Sequence, residues 1–479
     1  MHGIRNLTYL LGIDAGTTSL KSAIYDLNGN LIAIASQEYP TFHPQPGWAE
    51  HSPALWWDAV KKTISKILEA STVSPDQIAG ICVSALSPAV VPIDRNGKPL
   101  RPAIIWMDTR GGPHNAAPKL QWIREHQPEV VQRAHKILLA DGYINYKLTG
   151  QYTADPFQVW WNTKEVMEMF ADVVDKFPET KPLYGLIGEV TADAAKETGL
   201  ATGTPVVQGS ADGIAAWFGG GLVKPGRTGE FTGQSAVIMT ITDKDYPAVY
   251  DKGLWCFQGA IHSTWVVGGP MSNGGGLYKW FRDKLGYEES EAASKTGLSP
   301  FEIIDIKASK IPAGSDNLIV LPYFNGERSP IWDSNARGVI FGLSNAHTKA
   351  HIARALMESV AYGFRHIVEQ AEEVGVKIGE VRSMGGGSKS RLWLQIKADV
   401  LGKTFQPVLA EAEPLGDAIL AGLGVGIYKD PVETCERLVK LGPKVEPNMA
   451  THEKYTKLYK IYRKLYVNVK PLFDELAIQ

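Results

Sequence analysis

Three cysteines in 479 residues are too few, and too far apart, for a disulfide-stapled secreted fold. Cys82, Cys256 and Cys435 offer neither an even count nor the close spacing of a zinc site, so a reducing, cytoplasmic setting is expected. Basic charge is not in surplus either. The chain has 49 Lys and Arg against 51 Asp and Glu, a net charge of −2. With no basic excess to displace counterions, no nucleic-acid partner is expected. No run of about 18 apolar residues occurs, so no membrane span is expected. The first residues lack the apolar stretch and small-residue cleavage site of a signal peptide. The phosphate-loop spacing G-x-x-x-x-G-K-[ST] is missing, and so is a sound dinucleotide fingerprint.

What is present is ordinary globular composition, 44% apolar and 21% charged, in a chain too long for one core. Cores stop growing at about 250 to 300 residues, so two domains are expected. Residues 9–39 read as three strands joined by tight turns, and residues 53–70 as an amphipathic helix with Trp56, Val60, Ile64 and Ile67 on one face. Buried-strand runs at 78–85 and 89–94 follow, so strands alternate with helices. The pattern restarts at 228–243, again strand, Thr-Gly turn, strand. At 382–403 a strand runs through three glycines into a helix. We read two similar lobes, 1–222 and 223–479, divided at the Gly/Pro cluster near 219–226. The last ~25 residues read as a Tyr- and Lys-rich helix whose packing the sequence leaves open.

Several turns carry more chemistry than a turn needs. Asp14, Gly16, Thr17, Thr18 and Lys21 gather a carboxylate, hydroxyls and an ammonium at the end of a strand. Backbone N–H groups of such a turn can hold an anion, and Asp14 suits a hydrated Mg²⁺, which prefers few carboxylates plus phosphate oxygens. An ordinary polar hairpin with a solvated Lys21 is the alternative. Thr232 and Gly233 repeat the arrangement, although Gly233 could be needed only for the turn. Gly386 and Gly387 allow close backbone approach to a ligand at a helix N-terminus. Asp212 ends a strand and opens a helix, where it could serve as a general base or simply cap the helix. His347 and His351 read as surface or cap residues rather than a metal pair.

Taken together, these turns resemble the actin/hexokinase-like (ribonuclease H-like) architecture, an α/β fold of two similar lobes with a nucleotide cleft between them. More narrowly, the chain resembles the FGGY family of carbohydrate kinases over nearly its whole length. Residues 118–126 (PKLQWIREH) and 337–363 (RGVIFGLSNAHTKAHIARALMESVAYG) are similar to the family's two signatures. Residues 46–57, 323–333 and 385–402 resemble its xylulokinase-like members. The resemblance implies ATP and Mg²⁺ as cofactors. Asp14, Gly16, Thr17, Thr18 and Lys21 would form the first phosphate loop, with Asp14 holding the metal through water. Thr232 and Gly233 would form the second, Gly386 and Gly387 would lie against adenosine, and Asp212 would be the catalytic base. Ser87 and Pro88 stand where xylulokinases carry a Met-His pair, and Gly213 stands where the base is followed by Asn. Trp106, in a kept Trp-x-Asp-x-Arg pattern with Asp108 and Arg110, would line the sugar pocket or the core. Trp160 and Trp161 replace small polar residues, and would shape the pocket or pack the interior. The implied reaction is phosphorylation of a terminal hydroxyl of a ketopentose. Gluconate, glycerol or a tetritol is the alternative acceptor, and an ATP-switched binding protein of the same fold is the rival class. A homodimer is implied by the family alone.

Overall fold

The computed structural model describes residues 8–110, 116–159, 161 and 163–477. Strands β1 (Tyr9–Ala15), β2 (Ser19–Asp26) and β3 (Leu31–Glu38) form an antiparallel meander. Helix α1 (Pro53–Ala70) follows; it starts on a proline and buries Trp56, Val60, Ile64 and Ile67. Its chain then returns as β4 (Ile78–Ala85), parallel to β1 and buried at every position, as a strand covered on both faces must be. Helix α2 is Ala140–Thr149, and strands β5 (Leu186–Glu189) and β6 (Pro205–Val207) complete a six-stranded sheet ordered β5-β6-β4-β1-β2-β3. Helix α3 (Asp212–Gly220) follows β6 after the link 208–211, so Asp212 opens the helix but does not end the strand.

The second sheet repeats this plan. β7 (Thr228–Thr232) and β8 (Ala236–Thr242) form the hairpin, and β9 (Trp255–Gln258) and β10 (Trp265–Met271) extend it. Helices α4 (Pro300–Ser309) and α5 (Lys349–Glu373) precede β11 (Val381–Met384), which runs parallel to β7. Helix α6 (Arg391–Leu401) and the parallel strand β12 (Phe405–Pro407) close the order β9-β10-β8-β7-β11-β12. The series β3-β2-β1-β4-β6 and β10-β8-β7-β11-β12 match strand for strand, three antiparallel and two parallel.

Helices α7 (Ala412–Gly424) and α8 (Met449–Ala477) come last. The chain divides into two compact units, Met1–Gly221 with Ala410–Val439, and Leu222–Leu409 with Lys440–Gln479. The first break, between Gly221 and Leu222, lies within the Gly/Pro stretch 219–226. By contact, residues 410–439 group with the first unit. The reason is close packing of α7 on α3. A Cβ on Gly416 would stand 1.8 Å from the Ala215 carbonyl, and one on Gly219 would stand 1.8 Å from that of Ala412. The tyrosines of α8 are its buried side: Tyr455, Tyr459 and Tyr462 pack around Tyr362, and the Tyr323 and Tyr462 hydroxyls meet at 2.8 Å. Trp161 is buried and stacks on Phe177 at 5.0 Å, so it packs the core; Trp160 lies outside the described residues.

Candidate active site

In the first unit, the β1–β2 register sets Asp14 opposite Lys21. The turn between them is braced from several sides. Gly16 N–H donates to the Ser19 carbonyl (3.1 Å), while Tyr39 donates its N–H to the Thr18 carbonyl (3.2 Å) and its hydroxyl to that of Gly16 (2.5 Å). Trp106 Nε1 donates to Thr17 Oγ1 at 2.9 Å, which leaves the threonine proton for another acceptor. Trp106 is itself seated by its motif. Asp108 takes Arg110 Nε at 2.9 Å and the Ala49 N–H at 2.6 Å, and Lys119 Nζ donates to the Asp108 carbonyl at 2.7 Å. Burial draws that lysine down to about 8. The Trp-x-Asp-x-Arg pattern and the signature lysine therefore hold the turn's shape.

Lys21 is not loosely solvated. Its Nζ lies 3.0 Å from Glu411, and although burial works against the charge, Glu413, Asp14 and Glu411 raise its ammonium above the usual value. Asp14 is buried and its Oδ1 has no hydrogen-bond partner. Burial, then the charges of Glu413 and Asp212, push its carboxyl well above the carboxylate range. An unsatisfied buried carboxylate oxygen among other acids is costly without a cation. These residues fit a hydrated Mg²⁺.

Asp212 is the first residue of α3, and the N-cap Ala211 makes no side-chain bond. The Asp212 Oδ1 accepts the Gly213 N–H at 2.7 Å. Part of the side chain stays open, yet surrounding protein and then the Glu413 charge push its carboxyl up to about 7. Gly213 is exposed, and a Cβ there would meet nothing within 4 Å, so open space adjoins the carboxylate. The segment leading into Ser87 and Pro88 is tied to both turns: Leu86 N–H donates to the Ala15 carbonyl (2.9 Å) and Ala85 N–H to that of Ser210 (3.1 Å). One region thus gathers Asp14, Thr17, Trp106, Ser87 and Asp212.

In the second unit, Thr232, Gly233, Gly386 and Gly387 line one cavity of about 550 Å³ with Phe301 and Trp393. That size is within the ordinary range for small-molecule sites. The glycines act differently from one another. Gly385 has φ of 76°, and Cβ atoms on Gly385 and Gly387 would stand 2.8 and 2.7 Å from Thr232 atoms, so both let the turn close on β7. Gly386 has no atom nearer than 4.0 Å and faces open space. The Thr232 hydroxyl is occupied within the protein. It donates to Glu230 (2.6 Å) and accepts from Lys397 (3.0 Å), and Lys397 and Glu230 pair at 2.6 Å, fully buried.

Sequence reasoning missed Tyr39, Glu411, Glu413, Glu230 and Lys397. The run EAEPLGD at 411–417 has the small-residue, acid-rich look of the other turns, but nothing local ties it to Asp14. His351 caps α5, with the Thr348 N–H donating to its Nδ1 at 3.0 Å. Among the described residues no group of three or more His, Cys, Asp or Glu is placed to hold a metal, and no helix is long and apolar enough to cross a membrane.

Residues 9–115 and 111–219 match the N-terminal domain of the FGGY family of carbohydrate kinases, and residues 231–425 match its C-terminal domain. The chain is 30% identical to a xylulose kinase of Staphylococcus epidermidis over 98% of each chain. It is also 30% identical to a gluconokinase of Bacillus subtilis over 88% of each. The solved structure of a xylulose kinase from Lactobacillus acidophilus superposes with a TM-score of 0.85 at 25% identity, covering 98% of this chain and 99% of that one. With the doubled α/β architecture, these matches establish that the chain belongs to the FGGY family of carbohydrate kinases, enzymes that transfer a phosphoryl group to an alcohol.

Proposed function

We propose that this kinase transfers the terminal phosphoryl group of ATP, with Mg²⁺, to a terminal hydroxyl of a small sugar, a ketopentose such as xylulose. The observation that carries the reading is Asp212: a carboxylate poised near neutrality at the start of α3, beside open space at Gly213. A general base works best when its pKa lies near the working pH. Asp212 accepts the acceptor hydroxyl's proton and orients its oxygen for in-line attack. Asp14 would hold the cation, and Lys21 and the turn's N–H groups would steady the phosphates. The cation, when bound, neutralises charge on the phosphates. Gly386 and Gly387 with Phe301 and Trp393 take the nucleoside, the aromatic walls suiting a flat base.

Ser87, Pro88 and Gly213 favour a second acceptor within the same chemistry. Pro88 stands for a histidine and Gly213 for an asparagine of xylulokinases, and a site that loses donors to a hydroxyl loses discrimination for it. Similarity to a gluconokinase points the same way. A coupled ADP-release assay across ketopentoses, pentitols, tetritols, glycerol and gluconate tests both readings. Turnover with a ketopentose far above the sugar-free rate supports the first. Turnover only with an acid or shorter polyol replaces the acceptor, and ADP release that no sugar stimulates sinks the kinase assignment for this panel.

A further inference from the structure

A buried polar cluster lies in the first unit, apart from the residues assigned above. Asp141 and Asn145 stand one turn apart on the same face of α2. Gln208 follows β6, and Asp155, Gln158 and Ser210 complete the group; Asp141, Asn145, Asp155, Gln208 and Ser210 are 0% exposed and Gln158 is 7% exposed. Asp155 is well satisfied. It accepts from the Ser210 hydroxyl (2.7 Å), Gln158 Nε2 (2.7 Å) and the Phe157 N–H (2.9 Å). Asp141 Oδ2 accepts from Gln208 Nε2 at 3.2 Å, and that nitrogen also donates to the Gly209 carbonyl at 3.0 Å. The amide nitrogens of Gln208 and Gln158 both serve acceptors, so the atoms each has left over are oxygens.

The remaining atoms are lopsided. Asp141 Oδ1, Asn145 Oδ1, Gln158 Oε1 and Gln208 Oε1 are buried with no partner, against one donor, Asn145 Nδ2. Among the described residues, neither carboxylate is paired with a lysine, arginine or histidine. Water could satisfy the oxygens but would leave the buried charge uncompensated. A cation does both.

We propose that Asp141, Asn145, Gln158 and Gln208 form a buried site for a monovalent alkali cation, one wall of which carries the strand end that leads to Asp212. The donor set selects the ion class. Mostly neutral amide oxygens with one open carboxylate oxygen make a weak field. Calcium sites draw on several carboxylates, and magnesium keeps its waters in strict octahedral geometry.

Thermal unfolding of the whole protein in choline chloride, against KCl or NaCl at equal ionic strength and without Mg²⁺, tests the site. The expected result is a saturable rise of about 3 °C with one alkali ion. Asp141→Asn should raise the Tm in choline and abolish the ion response. Crystals grown with Rb⁺ or Tl⁺ should show an anomalous peak among the four oxygens, a readout that needs no variant. Equal Tm in all three salts with no anomalous peak overturns the proposal. So does a response that Asp141→Asn leaves intact, or one produced by Ca²⁺ alone.

Discussion

At the scale of single residues, the carboxylates of the first unit decide the pH behaviour. Asp212→Asn keeps the shape and removes the base, so kcat should fall by about 10² or more with KM little changed. In the native enzyme the acid limb of kcat/KM should lie near pH 7, since Asp212 is active only when deprotonated and is pushed up to about 7. Its sign for stability is opposite. A carboxyl raised in the folded state stabilises the fold below its unfolded value, and this is lost as pH rises through about 7. The Tm of Asp212→Asn should therefore gain on the native protein between pH 4 and pH 8; a constant difference would contradict the raised carboxyl. Glu413 is the principal charge acting on Asp212 after burial. Glu413→Gln should move the acid limb to lower pH, and a limb that stays in place would show that burial alone sets it.

At the scale of elements, two contacts hold the sites in shape. Helices α3 and α7 approach so closely that only glycine fits at the crossing. Gly416→Ala should cost about 3 kcal/mol, because the opposing atom is a backbone carbonyl that cannot turn aside. Chemical denaturation measures this, and a loss under 1 kcal/mol would mean that the helices can part freely. In the second unit, Lys397 on α6 pairs with Glu230 on β7, and the pair holds the Thr232 hydroxyl. Lys397→Met leaves Glu230 buried and unpaired, and should destabilise by about 3 to 5 kcal/mol. Removing both charges, as Glu230→Gln with Lys397→Met, should restore much of that loss. These elements were readable individually, from the helical spacing of α1 to the glycine turn after β11. Their crossings were not, because closeness at Gly416 depends on a partner some 200 residues earlier in the chain.

At the scale of the whole molecule, the discontinuous first unit has a testable consequence. A fragment ending at Gly221 lacks α7, the helix against which β1 and α3 close: a Cβ on Gly12 would stand 2.2 Å from the Pro414 carbonyl. That fragment should show no cooperative unfolding transition, and a sharp transition would mean that α7 is dispensable. The sequence by itself determined the doubled plan of strand, turn and strand, the glycine turns, and the placing of Asp14 near a strand end and of Asp212 at a helix start. Those follow from periodicity and local backbone preference, which act over a few residues. Only the tertiary structure decided that Glu411 and Glu413 face Lys21 and Asp14, that Thr232 is held by a buried ion pair, and that Asp141 and Gln208 share a site. Charge interactions and burial act through space, and the groups they join are separated by tens to hundreds of residues of intervening chain.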